Sequence, residues 1–289
     1  MTFIRKTRRK KRFKPLKFII IATIAFGLWH FHVIDFFQYL LLDNQAYTLA
    51  QSSSYVDPYE NVPLHHYNWD NLIVTDKQID YIDEEGNKAM QGIDLSRYQG
   101  DVDWSQINSS NVSFAMLRVG YRGYKSGIIK LDDKFTQNIQ QAENKNIQVG
   151  VYFFSQAITE AEAIEEANFV LQYVEDYPIT LPIVFDLEEI SASDHRTYNL
   201  TQEQRTNIAI SFCERIKEAG YTPMIYGNAS WLTDCYDLTQ ISQYDIWLAQ
   251  YADCPSFPYA FKMWQYTNSG TLDGINHSVD KNIYFISES

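Results

Sequence analysis

At 289 residues, 45% of them hydrophobic, the chain suits one large domain or two small ones with an ample core. Its net charge of −12 hides an asymmetry: residues 1–17 hold nine of the 24 Lys and Arg and no acid, leaving 15 bases against 36 acids in the rest. An acidic body argues against nucleic acid binding, and three Cys (Cys213, Cys235, Cys254) are too few for a disulfide scaffold and match no zinc spacing.

The basic end runs directly into FIIIATIAFGLW and on to Leu42. Extended through Ile34, this apolar run reaches the length of a spanning helix, and the preceding Lys and Arg place the amino terminus inside. No small-x-small site follows it, so an uncleaved signal anchor over 18–42 is preferred to a cleaved signal peptide. The resulting division is a basic cytoplasmic end (1–17), a transmembrane anchor (18–42), a linker (43–70) with solvated His65 and His66, a β-hairpin lead-in (71–91) turning near Gly86, and a main domain (92–289).

From Gly92 onward eight short apolar runs have strand character, beginning near Gly92, Phe114, Gln148, Pro182, Thr222, Ile246, Lys262 and Asn282. Helical patterns lie between them over 132–145, 159–177 and 201–219. The last two open on T-x-x-E at Thr159 and T-x-x-Q at Thr201, both of capping-box form. Alternating strands and helices predict parallel strands. Later connections are too short for full helices, which gives an α/β fold of TIM-like type: an irregular, incomplete (β/α)8 barrel with few helices in its second half.

The fourth run, LPIVFDLEE, ends in acids. Residues two apart on a strand share a face, so Asp186 and Glu188 point into one space while Leu187 and Glu189 point away. Two such carboxylates are the equipment of glycoside hydrolysis. In a parallel barrel chemistry collects at the carboxyl ends of strands, where Asp94, Tyr152, Tyr226, Tyr251, Trp264 and Gln265 also fall. The 15% aromatic content suits either sugar stacking or a Tyr-rich core.

GIDLSRYQGDVDW (92–104) resembles the opening signature of the family 25 glycoside hydrolases, the Chalaropsis-type lysozymes. FAMLRVGY, QVGVYFF, PIVFDLE, GYTPMIYGN, IWLAQY, MWQYTNSGTLDGI and VDKN agree in kind and order. The resemblance implies cleavage of the β-1,4 bond between N-acetylmuramic acid and N-acetylglucosamine in peptidoglycan by a membrane-anchored bacterial member. Glu188 matches the family's general acid, and Asp186, Asp94 and Asp280 its other active-site carboxylates. Tyr152, Tyr226, Tyr251, Trp264 and Gln265 are expected to line the sugar groove. Members often carry Tyr-His-Phe where this chain has Tyr152, Phe153 and Phe154, a departure expected to remove a polar contact near the rim.

No metal or cofactor is required, no nucleic acid partner is expected, and the protein is expected to be a monomer. Crowding by the other acids is expected to keep Glu188 protonated while Asp186 stays ionised. Asp186 serves either as nucleophile or as support for the substrate's acetamido group. The competing readings are a chitinase-like hydrolase of N-acetylglucosamine polymers and a catalytically silent wall-binding protein. The Cys are read as unpaired, with a Cys235 to Cys254 bridge as the alternative.

Overall fold

A computed structural model describes residues 59–75, 78–108, 110–190 and 194–286. The chain divides into two units, Met1–Asp57 and Pro58–Ser289, and only the second contains described residues. The basic end, the 18–42 anchor and the first part of the linker all lie outside the described residues. Among the described ones no helix is long and apolar enough to cross a membrane.

All eight expected runs form strands, and they close on themselves. They are β3 (Met90–Leu95), β4 (Phe114–Arg122), β6 (Gln148–Phe154), β7 (Ile183–Asp186), β8 (Pro223–Asn228), β9 (Asp245–Ala249), β10 (Met263–Gly270) and β11 (Val279–Tyr284). Neighbours from β3 through β10 pair in parallel. The eighth strand, β11, is antiparallel to both β10 and β3 and zips the ring shut. The eight-stranded ring is closed, and it is irregular in the direction of this last strand. The short 271–278 connection cannot carry the crossover a parallel strand needs, so the chain turns straight back. A short β5 (Ile129–Leu131) hangs on β4 as a hairpin arm that the sequence reading missed.

Strand alternation sorts the apolar residues into two cores. Phe114, Met116, Val184, Met224, Trp247 and Met263 fill the barrel interior. A Cβ at Gly92 would run into the Phe114 ring, so glycine there lets that ring plug the lower barrel. The outward residues pack under α2 (Phe135–Asn144), α3 (Glu160–Val174) and α4 (Gln202–Glu218). Helix α1 (Trp104–Asn108) and the short α5 (Ala229–Asp234) and α6 (Leu238–Ile241) complete the set, so the second half is helix-poor, as expected.

The Thr201 capping box at the start of α4 closes reciprocally with Gln204. At α3 only half the expected box forms: Thr159 accepts from the Glu162 amide, but the Glu162 carboxylate accepts from Ile158 N and pairs with Arg196 instead.

The lead-in departs from expectation in two places. Residues 59–70 are not a free linker. Tyr67 stacks on Phe285 with ring centroids 4.0 Å apart and donates to the Phe261 carbonyl at 2.7 Å, while Trp69 packs on Phe261 and Trp264. These aromatics pack on the outer face beside β10 and β11, and His65, expected to be solvated, is half-buried among them. The hairpin within 71–91 pairs β1 (Leu72–Val74) with β2 (Ile79–Tyr81), so its turn precedes β2. The expected turn at Gly86 follows as a second one, closed by the Ile82 to Lys88 bridge and by Asp83 accepting from the Glu85 and Asn87 amides.

Candidate active site

A cleft of about 240 Å³ opens at the carboxyl rim of the barrel. Asp94, Asp186, Glu188, Asp280, Tyr152, Tyr226 and Gln265 all line it, so strand closure unites seven of the nine expected site residues. Asp94 is the penultimate residue of β3, Asp186 ends β7, and Glu188 follows two residues later on the same side while Leu187 turns into the outer core and Glu189 to solvent. Asp280 reaches the same rim because β11 runs downward, which puts its start beside the ends of the other strands.

One amide organises half of the site. Gln265 accepts at Oε1 from the Tyr226 and Tyr251 hydroxyls at 3.0 and 2.9 Å and donates from Nε2 to Asp94 Oδ2 at 2.9 Å. Asn282 donates to the same Asp94 oxygen at 2.9 Å while accepting the Trp247 indole N–H at 2.8 Å. Two aligned amides thus fix a carboxyl, two phenols and an indole. Tyr251 takes part through Gln265 and does not itself line the cleft.

The acids form two pairs. Burial is the largest cause lifting all four carboxyls above their usual range. Asp280 is pushed to about 9, with the Asp94 charge and hydrogen bond adding to burial. Glu188 is raised to about 7, and Asp186 well above its usual range by burial and then by the Glu188 charge and hydrogen bond. Asp186 is therefore not the simple ionised partner expected from sequence: with 4% exposure it is the deeper acid, and the pair holds a proton between them near neutral pH. Its Oδ1 is buried without a hydrogen-bond partner among the described residues. Arg118, also on the cleft wall, acts in the opposite direction and favours the Asp186 charge.

Trp264 is a correction. It is fully buried outside the barrel, against Tyr266 and Trp69, with its indole donating to the Gln250 carbonyl at 2.7 Å. Gln265 faces inward, and its strand neighbour must then face outward. The tryptophan of the cleft is Trp247, packed edge-on against Tyr226 and Tyr152. The same alternation in IWLAQY was the signal for it. Ser96, Tyr98, Gln99, Arg118 and Phe154 also line the cleft and were missed. Phe153, where the family departure falls, packs outward against Phe169, so no polar contact is lost from the cleft.

Among the described residues no cluster of His, Cys, Asp and Glu has the arrangement to hold a metal. The three Cys are free thiols.

Paired carboxyls raised by burial, walled by aromatics at the carboxyl rim of a closed α/β barrel, define the site of a glycoside hydrolase. Residues 93–275 match the model of the glycosyl hydrolases family 25, and the chain belongs to that family. Lysozyme M1 of Streptomyces globisporus is 29% identical over 204 residues, which cover 67% of each chain. Among solved structures, the bacterial lysozyme from Streptomyces coelicolor aligns at 26% identity and TM-score 0.56 over 69% of this chain and 93% of that one. The modular autolysin LytC from Streptococcus pneumoniae, solved with a synthetic peptidoglycan ligand, shares the fold at 22% identity and TM-score 0.62 over 74% of this chain. This chain spans 52% of that longer protein.

Proposed function

We propose that the protein is a muramidase that cleaves the β-1,4 bond between N-acetylmuramic acid and N-acetylglucosamine in peptidoglycan, with Glu188 as general acid. The observation that carries the mechanism is the Asp186 and Glu188 pair, at one strand end, facing one cleft and both raised by burial. Two acids two residues apart on one strand end stand on the same side of the cleft and not across a sugar ring from each other. That placement favours assistance by the substrate's own acetamido group.

Asp186 Oδ1 is suited to receive the acetamido N–H. The N–H stabilises the Asp186 charge and leaves the shared proton on Glu188, which donates it to the glycosidic oxygen as the bond to the anomeric carbon breaks. The acetamido oxygen closes on that carbon, and Glu188, now ionised, takes a proton from the water that reopens the ring. Asp94, Asp280 and Gln265 hold the opposite wall, and Tyr152, Tyr226 and Trp247 offer apolar faces to the sugar.

The apolar 18–42 segment after a basic end supports a single-pass anchor with the catalytic unit outside the membrane, working as a monomer on wall glycan. The test of function is reducing-end release from purified peptidoglycan by the wild type and by Glu188→Gln. Undiminished release by the variant would remove Glu188 from its role. Recovery of intact chain from the membrane fraction tests the anchor, and a shortened chain in the medium would refute it.

A further inference from the structure

The acid pairs leave the cationic edge of the cleft without a task. Among the described residues lining the cleft, Arg118 alone is cationic. Its Nε donates to Asp132 Oδ2 at 2.8 Å, and Nη2, 2.7 Å from the same oxygen, is buried without a well-aligned hydrogen bond among the described residues. A second guanidinium lies beside it. Arg97, in the 97–99 turn, donates from Nη1 to the Tyr121 hydroxyl at 3.0 Å.

Both cations share the same two rings. Arg97 stands 5.2 and 5.0 Å from the Tyr98 and Tyr121 centroids, and Arg118 stands 5.0 and 5.6 Å from them. Asp132, itself buried, is bonded by Arg118 and by the backbone N–H groups of Arg97 and Lys134. One carboxylate neutralises one of two guanidiniums, so the cluster keeps surplus positive charge at the edge of an otherwise acidic cleft. Stacking on Tyr98 and Tyr121 and the tie to Asp132 hold it there in a fixed orientation.

We propose that Arg118 and Arg97, held against Tyr98 and Tyr121, form a carboxylate subsite that reads the acidic substituent carried by muramyl residues. The inference rests on the muramidase reading and sharpens its substrate class. A planar guanidinium with an unspent N–H edge matches a carboxylate. A muramyl residue presents one from either of two sources: the free lactyl group of a peptide-stripped strand, or an acidic residue of the stem peptide. Polymers of N-acetylglucosamine present neither, so the subsite separates wall glycan from chitin.

The test is equilibrium binding by the full chain carrying Glu188→Gln, which prevents turnover. Three alternating oligosaccharides of equal length are compared: one with free lactyl groups, one with the lactyl groups as methyl amides, and one bearing stem peptides. Losing a charge-assisted hydrogen bond predicts binding about tenfold weaker for the methyl amide than for the preferred acidic form. A free-acid preference assigns the lactyl group, and a stem-peptide preference assigns the peptide. Arg97→Gln narrows the gap, and Arg97→Lys, which keeps the charge, retains part of it. Equal affinity for all three ligands overturns the subsite. So does a gap that survives both Arg97→Gln and the paired Arg118→Met, Asp132→Asn change, which avoids stranding a buried charge. Reducing-end release from both acidic forms by the Glu188-containing chain is measured alongside. Its absence from both sinks the muramidase reading, whereas equal binding sinks only the subsite.

Discussion

Asp94 and Asp280 stand directly opposite each other across the antiparallel β3 and β11 pair, the seam that closes the barrel. Like charges at opposed positions destabilise a sheet, and burial makes the cost larger. The seam tolerates them because a proton stays between them: Asp280 is pushed to about 9. The same residues therefore close the fold and furnish one wall of the cleft.

That proton makes the seam sensitive to pH in a definite direction. A carboxyl whose folded value lies above its unfolded one binds protons more tightly when folded. Its contribution is present in full below the unfolded value near 3.8 and is lost as pH rises through about 9. Asp280→Asn replaces the protonated acid with a neutral amide. Its melting temperature is expected to fall less than that of the wild type between pH 5 and pH 9, and to exceed it at pH 9. Parallel melting curves across that range would show that the pair carries no such proton.

The acid role of Glu188 predicts a second pH limb. With Glu188 raised to about 7, the protonated form is depleted above neutrality, so kcat/KM on peptidoglycan is expected to fall as pH rises past about 7. Glu188→Gln is expected to lower kcat by about 10²- to 10⁴-fold, the usual worth of general acid catalysis. An alkaline limb that persists in the residual activity of that variant would assign the limb to another group.

The two tryptophans are both buried, and only Trp247 borders the cleft. Trp247→Ala removes a cleft wall and is expected to raise KM for glycan. Trp264→Ala empties a fully buried site outside the barrel and is expected to cost about 3–5 kcal/mol in unfolding free energy. Glycan hydrolysis below the melting point should be little changed by Trp264→Ala. A larger effect of Trp264 than of Trp247 on KM would reverse their placement.

What was legible in the sequence follows from what is local. The eight strands announced themselves because runs such as PIVFD are buried on both faces. The D-x-E spacing gave the shared side of Asp186 and Glu188 by the period of a strand alone. The direction of β11 depends on the short 271–278 connection, and Trp264 with Gln265 cannot both face inward. Placing Trp264 in the cleft was an error of applying strand geometry rather than a gap in the information. Arg118 was different in kind. FAMLRVGY reads as a buried strand, and only the fold shows that Asp132 and Tyr98 come to meet its one cation. The packing of Tyr67 on Phe285 likewise spans a separation that no pattern within residues 43–70 encodes.

A buried ion pair beneath the acids gives the last prediction. Arg122 donates from Nε to Glu166 Oε1 at 2.6 Å, and Ser155 donates to Glu166 Oε2 at 2.6 Å. The Ser155 N–H is itself bonded to the Asp186 carbonyl at 2.7 Å, so this pair underpins the strand end that carries the acids. Burial raises Glu166 to about 7 even though Arg122 pulls the other way. Arg122→Met would leave that carboxyl buried without its cation, which typically costs about 3–5 kcal/mol. Protonation relieves such a charge, so the deficit is expected to grow between pH 6 and pH 8, as read by chemical denaturation. Adding Glu166→Gln should recover part of it at pH 8. A pH-independent deficit would mean that Arg122 stabilises the fold through packing and its bonds to the Gly127 and Glu162 carbonyls and to Glu165, and not through the Glu166 charge.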